Sequence, residues 1–211
     1  MRTVLTKLAW PAVAVFLLIS LFGGAARAGL PTPQNLSPIL EPASGALLGI
    51  FYGAGSVDET SKKLGRMLPV HLTYYAWDTD WNGSVTKADL AAGRIPLVNW
   101  EPHHIDFHKI IDGSLDATIT ARANGAKALG QKFFLDFAAE MNGDEAWGGN
   151  NPTLYVAAYR HIHDIFTAAG ATNVVWVWCP NVTDTDGSNR TTMDYYPGDS
   201  YVDWTGVDGY N

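Results

Sequence analysis

With 211 residues, 47% of them hydrophobic and 17% charged, the chain has the composition of one folded domain and not of a disordered or fibrous protein. Its formal charge of −7 becomes −10 if the first 28 residues are removed, because Arg2, Lys7 and Arg27 leave with no acid. So acidic a protein excludes nucleic acid and anionic membrane surfaces as partners, since both call for basic patches.

Residues 1–28 read as a secretory signal peptide: Arg2 and Lys7 form a positive start, 8–22 is an apolar run interrupted by Pro11, and Ala26-Arg27-Ala28 is an A-x-A cleavage signature. The alternative, an uncleaved anchor, is disfavoured because the run is shorter than the ~20 residues of a spanning helix. A secreted, extracellular protein with no membrane contact after cleavage is expected. Residues 29–46 hold Pro31, Pro33, Pro38 and Pro42 without an apolar period and read as an extended lead-in. Residues 47–211 then form the folded domain.

From Leu47 on, short apolar runs alternate with longer helical stretches, the pattern of βα units on a parallel sheet. Strands are predicted at 47–52, 70–76, 95–100, 132–138, 174–178 and 204–207. Most lack polar alternation, as strands covered on both faces do. Ser56 and Glu59 form a capping box for a helix running toward Arg66, and another helix begins at Asp116 and stops at Gly130. The third has Asn151 as cap, Pro152 at its first position and Gly170 as stop, with Tyr155, Tyr159, Ile162, Phe166 and Ala169 on one core-facing stripe. The fold expected is an α/β, (β/α)8 TIM barrel with about six of its eight units present. Six parallel strands cannot close a barrel, which points to a fragment.

Parallel α/β folds carry their functional residues just past the C-terminal ends of the strands. Those positions here hold Asp78, Asp80 and Trp81; Trp100, Glu101 and His103; Glu140 and Asn142; Trp178, Pro180 and Asn181; Asp208 and Tyr210. Carboxylates and amides hydrogen-bond ring hydroxyls, and aromatic faces pack on the apolar side of a pyranose, so the set suits a neutral sugar. The cluster His103-His104-Ile105-Asp106-Phe107-His108 matches no metal-ligand spacing, and no metal is expected. The single cysteine, Cys179, allows no internal disulfide and reads as a small buried hydrophobe at a strand end. No nucleophile elbow or phosphate-cradling loop occurs, and no cofactor is expected.

The densest signal is Phe137-Ala138-Ala139-Glu140-Met141-Asn142-Gly143 at the end of the fourth strand. It is followed in order by Trp147, by Tyr159-Arg160-His161, by Asn173 through Asn181 as the fifth strand, and by Val207-Asp208-Gly209-Tyr210-Asn211 at the sixth. This series, covering roughly the C-terminal half, resembles glycoside hydrolase family 26. The resemblance implies hydrolysis of β-glycosidic linkages in a polysaccharide or oligosaccharide such as β-mannan or mixed-linkage β-glucan, by double displacement with retention. It makes Glu140 the acid/base, kept protonated by burial beside Trp147 or Trp178, and puts the nucleophile on a seventh strand, which the chain does not contain. Trp100, Glu101, His103, Asn142, Trp147, Trp178, Asn181, Asp208 and Tyr210 are the expected substrate-binding residues.

For Glu101 and Asp208 a structural role stays open beside a substrate contact, and Glu145 reads as a solvated loop charge. Two places depart from the family pattern. Ala139 stands where a His commonly precedes the acid/base, and Asp136 stands where an Arg is common on the same strand. These departures leave a second reading, a carbohydrate-binding protein without catalysis on a degenerate or truncated barrel.

Overall fold

The computed structural model describes residues 17–19, 36–51, 56–143, 147, 150–184 and 190–209. Six parallel strands lie in chain order, forming half of a barrel: β2 (Ala46–Phe51), β3 (Val70–Ala76), β4 (Ile95–Glu101), β5 (Phe133–Phe137), β6 (Val174–Trp178) and β7 (Trp204–Thr205). A short strand from the apolar N-terminal run, β1 (Leu17–Ile19), pairs antiparallel with β2. Among the described residues five α-helices accompany them: α1 (Val57–Leu64), α2 (Ser84–Ala91), α3 (Phe107–Ile111), α4 (Asp116–Leu129) and α5 (Pro152–Ala169).

Local chemistry sets the helix ends. The Ser56 hydroxyl accepts from the Glu59 N–H at 3.1 Å to open α1, and Asn151 does the same for Leu154 N at 3.2 Å to open α5. Gly130 and Gly170 close α4 and α5 in the left-handed conformation. On α5 the residues Tyr155, Tyr159, Ile162 and Phe166 are all buried, and the helix packs on α3 and α4. Each such side chain contributes about 1.5–3 kcal/mol by leaving water, which is why a helix of ordinary propensity is held firmly.

The sheet separates two cores. Between sheet and helices, Trp77 stacks on Trp100 with centroids 4.4 Å apart, and Trp81 meets Trp100 edge-on at 4.9 Å. Phe133, Leu135 and Phe137 join this layer from β5. On the inner face of the half-barrel lie Leu72, Leu97, Phe134, Val175 and Val177. Strand parity therefore assigns Asp136 and its register partner Asn99 to the inner face, while Phe137 and its partner Trp100 face the helices.

Several expectations are modified. The lead-in is folded and not simply extended over 36–45: Leu36 bridges Pro42, Leu40 is buried in the inner core, and Ile39 O accepts from Trp204 Nε1 at 2.6 Å. The last strand is shorter than predicted. Beyond Thr205 the chain continues only as an isolated bridge between Asn181 and Asp208. At Gly206 the backbone comes so close to Cys179 that an added Cβ would sit 2.9 Å from its Sγ. Two helices, α2 and α3, were not anticipated. Asp106, considered among possible metal ligands, caps α3 by accepting from His108 N at 2.9 Å, and His108 lies exposed on that helix.

Candidate active site

Glu140 sits three residues past the end of β5, in a stretch where two non-glycine residues have positive φ: Ala138 at 53° and Glu140 at 57°. Each such residue costs about 1–3 kcal/mol and persists only where the surroundings fix it. The fixing contacts are present. Ala138 N–H donates to Trp100 O at 3.1 Å, Glu140 N–H to Cys179 O at 2.8 Å, and Gly143 N–H to Glu140 O at 2.8 Å. The backbone is thus pinned to β4 on one side and to the β6 end on the other, and the carboxyl is carried at the mouth of the half-barrel.

Two partners meet that carboxyl. Asn181 Nδ2 donates to Glu140 Oε2 at 2.9 Å. Asp208, buried, shares a hydrogen bond with Glu140, and its carboxyl is pushed up to about 7 by burial first, then by that bond and the Glu140 charge, with the Gly209 N–H pulling the other way. Burial and the neighbouring Glu140 carboxyl thus let Asp208 keep its proton to a higher pH than an exposed carboxylate would. Asp136, beneath them, is held well above the ordinary carboxylate range by burial and by the charges of Asp208 and Glu140. The same two causes, burial and neighbouring acids, raise the Cys179 thiol, which is buried just past β6 as expected.

Asn142 is 1% exposed and its amide is fully engaged. Nδ2 lies 3.1 Å from Asn181 O, 2.8 Å from Asp184 Oδ1 and 3.1 Å from Thr192 Oγ1, while Oδ1 accepts from Asn181 N at 2.8 Å. It therefore ties the β5 loop to the β6 loop and sets Asn181 against Glu140. A second group lies on the β4 side. His103 Nε2 is 3.1 Å from Glu101 Oε2, the His103 ring meets Trp147 edge-on at 5.0 Å, and Trp147 Nε1 donates to Ala139 O at 2.6 Å.

Of the residues expected to bind substrate, the structure gathers Asn181 and Asp208 around Glu140, and Glu101 and His103 along the adjacent rim, with Trp147 behind His103, 6% exposed and packed in the helix-side core. It does not bring Trp100 there. That side chain is fully buried on the helix side of the sheet, with Nε1 donating to Trp77 O at 3.2 Å. Trp178 is likewise in the helix-side core, edge-on to Tyr196. Tyr210 and Glu145 lie outside the described residues. The sequence reading missed Asn99, Asp184 and Thr192. Asn99 had a signal, since it is an amide inside a strand otherwise buried and almost wholly apolar.

A parallel (β/α) half-barrel with a carboxyl pair at its strand ends is a frame that many (β/α)-barrel enzymes share. The match to known proteins is narrower than that. The family model for glycosyl hydrolase family 26 matches residues 98–211, and the chain belongs to that family. Endoglucanase H of Acetivibrio thermocellus is 37% identical over 181 residues, which are 80% of this chain and 20% of that protein. A mannan endo-1,4-beta-mannosidase of Bacillus subtilis strain 168 is 30% identical over 123 residues, covering 49% of this chain and 33% of that one. The solved structure of Bacillus subtilis mannanase man26 superimposes with a TM-score of 0.58 at 22% identity, over 77% of this chain and 61% of that chain. The chain thus spans a fifth to a third of these two curated relatives and about three fifths of the solved barrel. Structural likeness at this identity fixes the fold, an incomplete (β/α)8 barrel.

Proposed function

We propose that the protein acts in hydrolysis of β-glycosidic linkages in β-mannan or a mixed-linkage β-glucan, by double displacement with retention, with Glu140 as acid/base. The observation that carries this reading is the Glu140 carboxyl three residues past β5, with Asn181 Nδ2 2.9 Å from its Oε2 and the buried Asp208 carboxyl hydrogen-bonded beside it. A general acid must be protonated when it meets the glycosidic oxygen and ionised afterwards, when it activates water. Asp208, raised to about 7 by burial and by this neighbour, offers Glu140 a group with which a proton can be exchanged. The reaction also requires a second carboxylate about 5–5.5 Å from the first as nucleophile. The family resemblance assigns that group to the strand after β7, outside the 211 residues.

Asn181, Asp208, Glu101 and His103 are the substrate-facing residues in this proposal, with buried Trp147 backing the His103 ring. His103 would present its ring to a sugar, and Glu101 would take a ring hydroxyl. Export through cleavage before Gly29 completes it, on the strength of the positive start at Arg2 and Lys7, the apolar run and Ala26-Arg27-Ala28. N-terminal sequencing of the protein from culture medium should begin at Gly29, and an intact leader would overturn this part.

The test of activity is release of reducing sugar from β-mannan and mixed-linkage β-glucan. The 211-residue chain is compared with a form extended by the coding sequence downstream of Asn211. Hydrolysis by the extended form, cut about 10²–10⁴-fold by Glu140→Gln with glycan binding retained, is the expected result. Full turnover by Glu140→Gln would remove the residue from the acid/base role. Binding without hydrolysis by the extended form would favour a carbohydrate-binding protein instead.

A further inference from the structure

Past the end of β6 the chain keeps step with the segment that follows β7. Trp178 pairs in register with Thr205 and Asn181 with Asp208, at the same offset, so Cys179 stands opposite Gly206. Three hydrogen bonds hold the two segments together. Gly206 N–H donates to Trp178 O at 2.9 Å, Asp208 N–H to Pro180 O at 2.9 Å, and Val182 N–H to Asp208 O at 2.7 Å. Cys179, Gly206 and Asp208 all line the small cavity on the inner face of the sheet.

In a ladder of ordinary spacing, opposed Cβ atoms stand about 4.5–5.5 Å apart. A Cβ on Gly206 would lie 3.2 Å from Cys179 Cβ and 2.9 Å from its Sγ. The two segments are therefore about 1 Å closer here than side chains on both would allow. Gly206 does not have a positive φ, so its backbone conformation does not itself call for glycine. The three atoms nearest to an added Cβ all belong to Cys179, and its Cβ, unlike its Sγ, cannot be moved by a change of rotamer. Cys179 is tied to the other carboxyl as well, since its carbonyl accepts the Glu140 N–H at 2.8 Å. Burial first, and then neighbouring acids, keep its thiol protonated, so it serves as neutral bulk and not as a nucleophile.

We propose that Cys179 is a positioning residue that sets the separation of Glu140 and Asp208. Its carbonyl fixes the loop that carries Glu140, and its side chain, seated against the bare backbone of Gly206, fixes how near the Asp208 segment comes. The inference rests on the acid/base reading of Glu140. A side chain at position 206 would force the segments apart by about 0.5 Å, because carbon atoms in contact need about 3.5–4.0 Å. Asp208 lies two residues on and on the same face, so it would retreat with Gly206. The titratable groups around Asp208 are Glu140 from the β5 loop, Asp136 from β5 and the Cys179 thiol from the end of β6, with no cation among them. Retreat weakens the bond to Glu140, reduces the repulsion and admits solvent. Each of these lowers the pH at which Asp208 loses its proton.

The test is a pH titration of side-chain carboxyl carbons by NMR on the substrate-free 211-residue protein, with the Asp208 signal assigned from Asp208→Asn. In the parent Asp208 should titrate near 7. Gly206→Ala should lower that midpoint by about one pH unit or more, the effect of one hydrogen bond to a charged group. Adding Cys179→Gly to Gly206→Ala removes both atoms that the new methyl approaches most closely, and should restore the midpoint to within about 0.3 pH unit of the parent. A glycine needed only for stability would lower the unfolding midpoint of Gly206→Ala without moving the Asp208 titration. An unmoved titration in folded Gly206→Ala therefore overturns the proposal. So does a double variant that fails to fold or keeps the lowered midpoint. If Gly206→Ala alone does not fold, the double variant decides, and folding with the parent's Asp208 midpoint supports the proposal. No glycan is cleaved in this experiment, so it and the hydrolysis assay can fail separately.

Discussion

Replacing Asn142 by Leu tests whether this residue holds the site together or faces the substrate. The two side chains share one branched heavy-atom skeleton, so the change chiefly removes hydrogen bonding. The Asn142 amide has two hydrogens for three nearby acceptors, so at most two donated bonds count at once, with one more accepted from Asn181 N–H. A neutral bond contributes about 1 kcal/mol net, and one to a carboxylate about 1.5–3 kcal/mol, with the lower end apt for Asp184, which is exposed. The sum is about 3–4 kcal/mol, of which apolar burial of Leu returns about 1 kcal/mol, leaving a loss of about 2–3 kcal/mol. With a urea dependence of about 2 kcal/mol per molar, the midpoint of equilibrium unfolding should fall by about 1–1.5 M. A fall below about 0.3 M would refute the tie between the two loops and return Asn142 to the list of groups free to meet a ligand.

Other expectations follow from particular contacts. Asp208 has a folded-state value near 7 against about 3.9 unfolded, so the unfolded chain gives up this proton first and the stability it contributes is lost as pH rises from about 4 through 7. Asp208→Asn should flatten that decline when unfolding is compared at pH 5 and pH 8, and an unchanged pH slope would mean the pair is not formed. Asp89 is buried between His71 Nδ1 at 2.7 Å and Arg94 Nε at 2.8 Å, so Asp89→Leu removes this partner from His71 and leaves Arg94 only its ion pair with Asp58, and should cost about 3–5 kcal/mol in thermal or urea unfolding. Phe137→Ala opens the fully buried layer against Trp77, Trp100, Phe107 and Tyr159 and should cost about 3–5 kcal/mol by the same measurement.

Much of the fold is legible because a parallel strand covered on both faces is a short continuous apolar run. The predicted 70–76 and 174–178 coincide with β3 and β6, and the bounds at β2, β4 and β5 differ by one residue. The helices found from sequence carry caps that can be read directly, Ser56, Asn151, Gly130 and Gly170. Of the helices not found, α2 lacks such a mark, its cap being Gly83, which offers no side-chain bond, and α3 is capped by Asp106 but has five residues, too few for an apolar period to register. The folding of the lead-in depends on Leu40 and on Trp204, whose indole reaches Ile39 from 165 positions away, and nothing local announces such a contact.

The site divides along the same line. Glu140 was legible because its motif is contiguous and sits at a strand end. Trp100 and Trp178 were assigned to the sugar because they also stand at strand ends, but position along a strand is only half of the geometry. The other half is which face a residue takes, and in strands apolar on both faces no alternation reveals it. The exception is a polar residue inside such a run. Asn99 in Ile95–Glu101 and Asp136 in Phe133–Phe137 carry groups that cannot be left among aromatic side chains, so the face they take must lead to the site or to water. Their pairing in register places both on the inner face, and by alternation Trp100 and Phe137 must then face the helices. The two polar residues thus orient the whole sheet, and Asp136 lies at the floor of the site.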